Sequence, residues 1–280
     1  STNAAGGSFF VSVFAEIGNA ILSLVAYFLS LMGIILNISI ILTMNIKAIY
    51  EATPAIEQIW VVIRNLASIF IIFGLLYTSI MTILDIGKPN LKGLIGKIIL
   101  AGLFINFSLF FTKIAIDASN LVSLQFYRAI APQAKVVSIT KDGFGAFMSG
   151  AVSEPGISDI FMHSLKIPTI YNNKGAITTN GAATAFNVLT ATVAGSILMI
   201  FAGLSFLAAA IAFIVRLVIL LLLMGFSPIY FVGIIFPAIE KDLSGKWMKW
   251  LTQELIFMPV YLLFMYVALK FISSGNGNNF

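Results

Sequence analysis

The chain has 280 residues, of which hydrophobic types make up 60% and charged types 10%, with a mean hydropathy of +1.04. So little charge on so apolar a chain excludes a water-soluble fold. With no cysteine and a single histidine, His163, it also excludes disulfides, thiolate sites, cysteine nucleophiles and histidine-rich metal centres, and no metal or cofactor is expected. The net charge of +5 is read as membrane orientation, because the basic residues flank apolar runs.

Residues 1–16 form an amino-terminal segment whose start, Ser1 to Ser8, is small and polar like a linker or cleavage scar. The missing initial Met points to processing or to excision from something longer. Residues 17–127 are predicted to form a first transmembrane bundle of three spans, carried by the uncharged runs Ile17 to Ile46, Asn65 to Leu84 and Ile98 to Thr112. Crossing a hydrocarbon core of roughly 30 Å takes about 20 apolar residues at 1.5 Å each. A 15-residue run reaches that length by extending past a lysine whose stem snorkels to the interface.

Thr53-Pro54 followed by Glu57 predicts a helix start, with a capping hydroxyl, proline at the first helical position and an acid near the positive dipole end. Trp60 would then mark the interface, and Arg64 is read as a snorkelling anchor rather than a buried functional charge. Asn37 and Asn45 in the first span, and Asn106 and Ser108 in the third, are read as interhelical glue, with path-lining as the minor alternative. Lys113 to Tyr127 keeps helical spacing, so the third span is expected to continue out of the bilayer. Asp117 and Asn120, one turn apart there, either solvate at the interface or face a cavity.

Residues 128–183 read as an extracytoplasmic loop subdomain, with a hairpin over Val136 to Phe147, a short helix over Gly156 to Leu165 and turns over Pro168 to Ala176. Residues 184–272 are predicted to form a second bundle of about three spans. The stretch from Thr184 to Phe236 is too long for one crossing and is divided in two, with Arg216 near the bend. Small residues from Ala191 to Ala210 allow close helix approach within the chain or between subunits. Gly225 and Pro228 interrupt the following run, and backbone carbonyls freed at that depth need a neighbouring helix or a water-lined cavity. Residues 273–280 read as a disordered tail.

Lys88, Lys92 and Lys97 against Asp85 mark that loop as cytoplasmic. With six spans the amino terminus is then cytoplasmic, the Pro237 to Glu254 loop falls outside and the carboxyl terminus inside. A single crossing between Thr184 and Phe236 would instead move that last loop to the cytoplasm and reverse the final helix. No histidine-acid-serine set, paired intramembrane carboxylates, phosphate-cradling glycine loop or metal spacing occurs, so no enzyme activity is expected.

One pattern in the carboxyl-terminal third is more specific. Arg216 and an apolar run lead into Gly225-Phe226-Ser227-Pro228, then Phe236-Pro237, Glu240, Lys246-Trp247, Trp250 and Phe257-Met258-Pro259. This resembles the TrbL family of conjugal-transfer membrane proteins. Trp60 to Tyr127, with Leu103-Phe104-Ile105-Asn106-Phe107-Ser108 and Asp117-Ala118-Ser119-Asn120, is similar to divergent members from candidate-phylum bacteria. The chain departs in its short amino-terminal region and its extra-long first apolar run.

The resemblance implies an all-α, polytopic protein of the bacterial inner membrane. It further implies a channel or scaffold subunit of a type IV secretion or conjugation machine that forms homo-oligomers and contacts other secretion subunits, including an ATPase. DNA or protein would be its transported substrate. Structural roles are expected for Arg216, Gly225, Pro228, Pro237, Trp247, Trp250 and Pro259, and candidate path-lining or interhelix roles for Asn106, Ser108, Asp117 and Asn120. The alternatives are a stand-alone small-solute transporter or ion channel, or a structural membrane anchor for a surface appendage.

Overall fold

A computed structural model describes residues 2–84, 91–132, 156–164, 185–236 and 240–275. Its elements are α1 (Thr2–Met44), α2 (Ile46–Ala52), α3 (Pro54–Ile83), α4 (Leu91–Ile130), α5 (Ile157–Ser164), α6 (Ala185–Gly225) and α7 (Pro228–Ile235). A π-helical turn, Glu240–Ser244, then leads into α8 (Gly245–Gly275). Five helical stretches among the described residues are long and apolar enough to cross a membrane: Glu16–Met44, Pro54–Ile83, Ile95–Ile130, Thr192–Gly225 and Glu240–Ile272. The chain is an all-α polytopic membrane protein.

The carboxyl-terminal half departs from the expected division at Arg216. No bend occurs at Arg216, because α6 runs through it to Gly225. The break comes at Pro228, which has no N–H and whose ring would collide with the carbonyl four residues back. Phe226 N–H still reaches the Leu222 carbonyl at 3.0 Å, while Ser227 N–H tightens onto Met224 at 3.3 Å. Pro228 then opens α7, whose eight residues are about 12 Å long and too short to cross. A single crossing over this stretch is the alternative under which the Pro237 to Glu254 loop would share a membrane face with the Asp85 to Lys97 loop.

The expected helix at Gly156 to Leu165 is α5, and α4 continues unbroken past Lys113 to Ile130. At α3, Pro54 occupies the first turn and Glu57 follows, but Thr53 donates its hydroxyl back to the Ile49 carbonyl at 2.8 Å rather than capping the helix. The hairpin at 136–147, the turns at 168–176, Pro237 and the end of the tail lie outside the described residues.

The chain divides into two units: residues 1–42, 127–213 and 264–280, and residues 43–126 and 214–263. In the first, α1 and α6 approach so closely that a β-carbon on Gly203 would lie 2.7 Å from the Phe28 ring, and one on Gly18 2.7 Å from the Thr192 hydroxyl. Gly203 of α6 therefore serves packing inside the chain, while Ala194, Ser205 and Ala208 are exposed. Helix α5 docks on α1 through Asn37, whose Oδ1 accepts from Ser158 N–H at 3.2 Å and whose Nδ2 donates to the Asp159 carboxylate at 3.4 Å. Asp159 also accepts from Gly156 N–H at 2.9 Å, and Phe161 meets Phe206 of α6 edge-on at 5.7 Å.

The second unit is stratified. Towards one end α3, α4 and α7 pack apolar side chains: Ala67, Ile105 and Val232, then Ile98, Ala101 and Ile235. Towards the other, a buried cluster of Ile46, Tyr50, Ile56, Leu109, Ile116, Leu220, Met224, Trp247 and Leu251 adjoins the charged residues of α3 and α4.

Candidate functional site

The second unit concentrates its polar side chains where prolines and helix ends leave main-chain carbonyls without an intrahelical donor. Such carbonyls are costly in an apolar setting, and a neighbouring side chain is the usual remedy. Pro259 lies inside α8 and cannot donate to the carbonyl of Leu255. Ser119 of α4 donates its hydroxyl to that carbonyl instead. One residue earlier, the carbonyl of Glu254 accepts from Arg216 Nε at 2.8 Å.

Arg216 is fully buried, so α6 carries a charge through its apolar length. Besides the Glu254 carbonyl it reaches Asn120 Oδ1 through Nη2 at 3.2 Å, while Nη1 has no hydrogen-bond partner. Asn120 in turn donates through Nδ2 to the Thr43 carbonyl at 3.4 Å. One guanidinium thus connects α4, α6 and α8. This is the use of arginine that a fork of donors permits and a lysine does not.

The second gap is at the end of α6. Ser227 N–H has turned to Met224, leaving the Leu223 carbonyl to accept from the Trp247 indole N–H at 3.2 Å. Trp247 also lies against Tyr230 with ring centroids 5.4 Å apart. Gly225 permits the close approach of α3, since a β-carbon there would fall 2.9 Å from Ile59. Beside the break, Ser108 takes the Trp60 indole N–H at 2.9 Å, lies 3.1 Å from the Ser227 hydroxyl and donates to the Ile105 carbonyl at 2.8 Å.

The third feature sits where α2, α3 and α4 meet. Lys113 pairs with Glu57 at 3.3 Å and lies 4.7 Å from the centre of the Tyr50 ring, and Tyr50 donates to Asp117 at 3.4 Å. Burial, and then the charges of Asp117 and Glu51 and the hydrogen bond to Asp117, push the Tyr50 phenol up to about 12.

The site residues named from sequence therefore divide. Arg216, Gly225, Pro228, Trp247, Pro259, Ser108, Asp117 and Asn120 all fall in the second unit and take part in these contacts or create the need for them. Asp117 and Asn120 each bond a neighbouring helix and are half-buried. Asn106 points outward and donates to its own helix at Gly102, 3.0 Å away, so its amide bonds no other helix. Trp250 is 57% exposed. Arg64 leans back over Trp60, 4.8 Å from the ring centre, the posture of an anchor. Sequence reasoning missed Ser119, Ser227 and the main-chain role of Glu254. A hydroxyl in a long helix has no local mark to distinguish an interhelical donor from one bonded to its own turn.

Comparison of the chain with protein-family models, with curated proteins and with solved structures finds no match.

Proposed function

We propose that the chain is a non-enzymatic channel or scaffold subunit of a type IV secretion or conjugation machine, of TrbL type, in the bacterial inner membrane. One observation carries this reading. Among the residues that make the sequence pattern specific, Trp247 bonds the carbonyl left open at the Gly225-Phe226-Ser227-Pro228 break, and Arg216 bonds the Glu254 carbonyl beside the one left open by Pro259, all inside a single unit. A pattern made of helix breaks and the side chains that repair them preserves a shape rather than a reaction. That suits a subunit whose task is to hold a place in an assembly. Its partners are the lipid bilayer, further copies of the chain and other secretion subunits including an ATPase, and DNA or protein is its cargo.

Orientation supports the same reading. Read as five crossings, the candidate stretches put the loop of Lys88, Lys92 and Lys97 on one face, which the positive-inside rule makes cytoplasmic, and bring Lys241, Lys246 and Lys249 into the membrane from that same face. The loop between α4 and α6 is then periplasmic. The test is gentle extraction of the tagged chain from its native membranes, with mass spectrometry of what accompanies it. Secretion ATPase and periplasmic bridging subunits are expected. Recovery of the chain alone, together with unaided solute flux in liposomes, would replace this reading with a stand-alone transporter.

A further inference from the structure

The charged start of α8 sits at an unexpected level in the second unit. A β-carbon on Gly233 of α7 would lie 2.5 Å from that of Ser244, so the π-helical turn is level with the middle of α7. At that level Val232 packs with Ala67 and Ile105, and Ile235 with Ile98 and Ala101. The outward faces of α3 and α4 there present Ile69, Phe70, Ile72, Phe73 and Leu103, an apolar surface of the kind lipid covers. Yet Glu240, Lys241, Asp242, Lys246, Lys249 and Gln253 are all exposed within two to three helical turns of Ser244, with Asp242, Lys246, Lys249 and Gln253 at one helical spacing and the apolar Leu243, Met248 and Trp250 exposed between them. The only ion pair among them is Lys246 with Asp242 at 3.2 Å.

Charges at hydrocarbon depth face a bundle interior or water, and irregular backbone at that depth survives where it is buried or lines a water-filled cavity. Burial is excluded here by the exposure of the side chains. Lipid is excluded by their charge. A π-helical turn in such a place fits the tendency of these turns to mark working sites.

We propose that the charged face of residues 240–253 lines an aqueous vestibule entering the membrane from the face that carries the 85–97 loop. Its role as a wall of the translocation path rests on the function proposed above; its contact with water rests on the geometry alone.

The absence of cysteine makes the test direct. Single cysteines replace Lys241, Lys246 or Lys249, and, as controls at the same level on α3, Ile69 or Phe73. Each full-length variant, in native membrane vesicles of either orientation, is treated with a membrane-impermeant cationic methanethiosulfonate. A thiol in water ionises and reacts whereas one in lipid does not, so K241C, K246C and K249C are expected to react at least about tenfold faster than I69C and F73C, from one side only. Equal rates would overturn the proposal. All slow would mean the lysines are shielded, and all fast would mean the stratum is not in hydrocarbon. The readout is independent of partners: reactive lysine positions without co-purifying secretion subunits would keep the vestibule and remove the machine, and the reverse result would do the opposite.

Discussion

A single serine hydroxyl shows how this chain manages polar groups. Ser119 matters only because Pro259, on another helix, has removed the N–H that the Leu255 carbonyl would have used. The two residues should therefore be coupled. S119A is expected to destabilise the detergent-solubilised protein by about 1–2 kcal/mol, and by clearly less in a P259A background, where the helix supplies its own donor. Thermal unfolding of the four proteins of that cycle gives the coupling, and strict additivity would mean that serine and proline act apart.

Trp247 allows a parallel trial. W247F keeps most of the ring and deletes the N–H, so loss of the Leu223 partner alone is expected to cost about 1–3 kcal/mol, read as a lowered Tm. Tyr50 gives a pH signature. Its phenol is raised from 10.0 to about 12, so the folded state holds its proton more tightly than the unfolded state. The resulting stability is complete below the ordinary value and is lost as pH rises through about 12. Absorbance titration should show Tyr50 ionising at lower pH in the D117N variant than in the wild type, though still above its ordinary value, because burial, the larger cause, remains.

At the scale of elements, the breaks in the chain were legible and their repair was not. Gly225 and Pro228 announce an interruption in any apolar run, and the structure has one there. The length of the stretch suggested a bend near Arg216. The arginine sits instead inside α6, nine residues before its end, and its donors are used by residues 38 and 96 positions away in sequence. No local pattern carries such distances. The same limit explains α5, visible as a helix but not as a docked one. Its attachment depends on Gly156, where a β-carbon would fall 2.3 Å from the Asn37 amide. G156A is expected to free α5 from α1, and N37A to do so by removing both bonds to the helix start, a loss of roughly 1–3 kcal/mol. Limited proteolysis should then cut near Ile157–Ser164 at least several-fold faster; unchanged cleavage would mean that the helix is held by Phe161 and its apolar neighbours.

For the whole molecule, composition excluded a soluble fold and the lengths of the uncharged runs pointed to helical spans, while the number of crossings turned on where one long apolar stretch is cut. The 15-residue runs in the third and last spans were correctly read as crossings that extend past lysines, since α4 and α8 both do so. The stretch after Thr184 breaks at Pro228 rather than near Arg216, and the eight-residue helix behind that proline has the composition of a span without the length. Everything proposed about orientation, from the cytoplasmic lysines to the entrance of the vestibule, depends on an odd number of crossings. The most direct measurement is impermeant thiol labelling of K88C and S274C, made singly in the cysteine-free chain, in right-side-out and inverted vesicles. Five crossings place the two cysteines on opposite faces, so each should be labelled in one vesicle type and protected in the other. Labelling of both from the same face would mean an even count and would contradict this account.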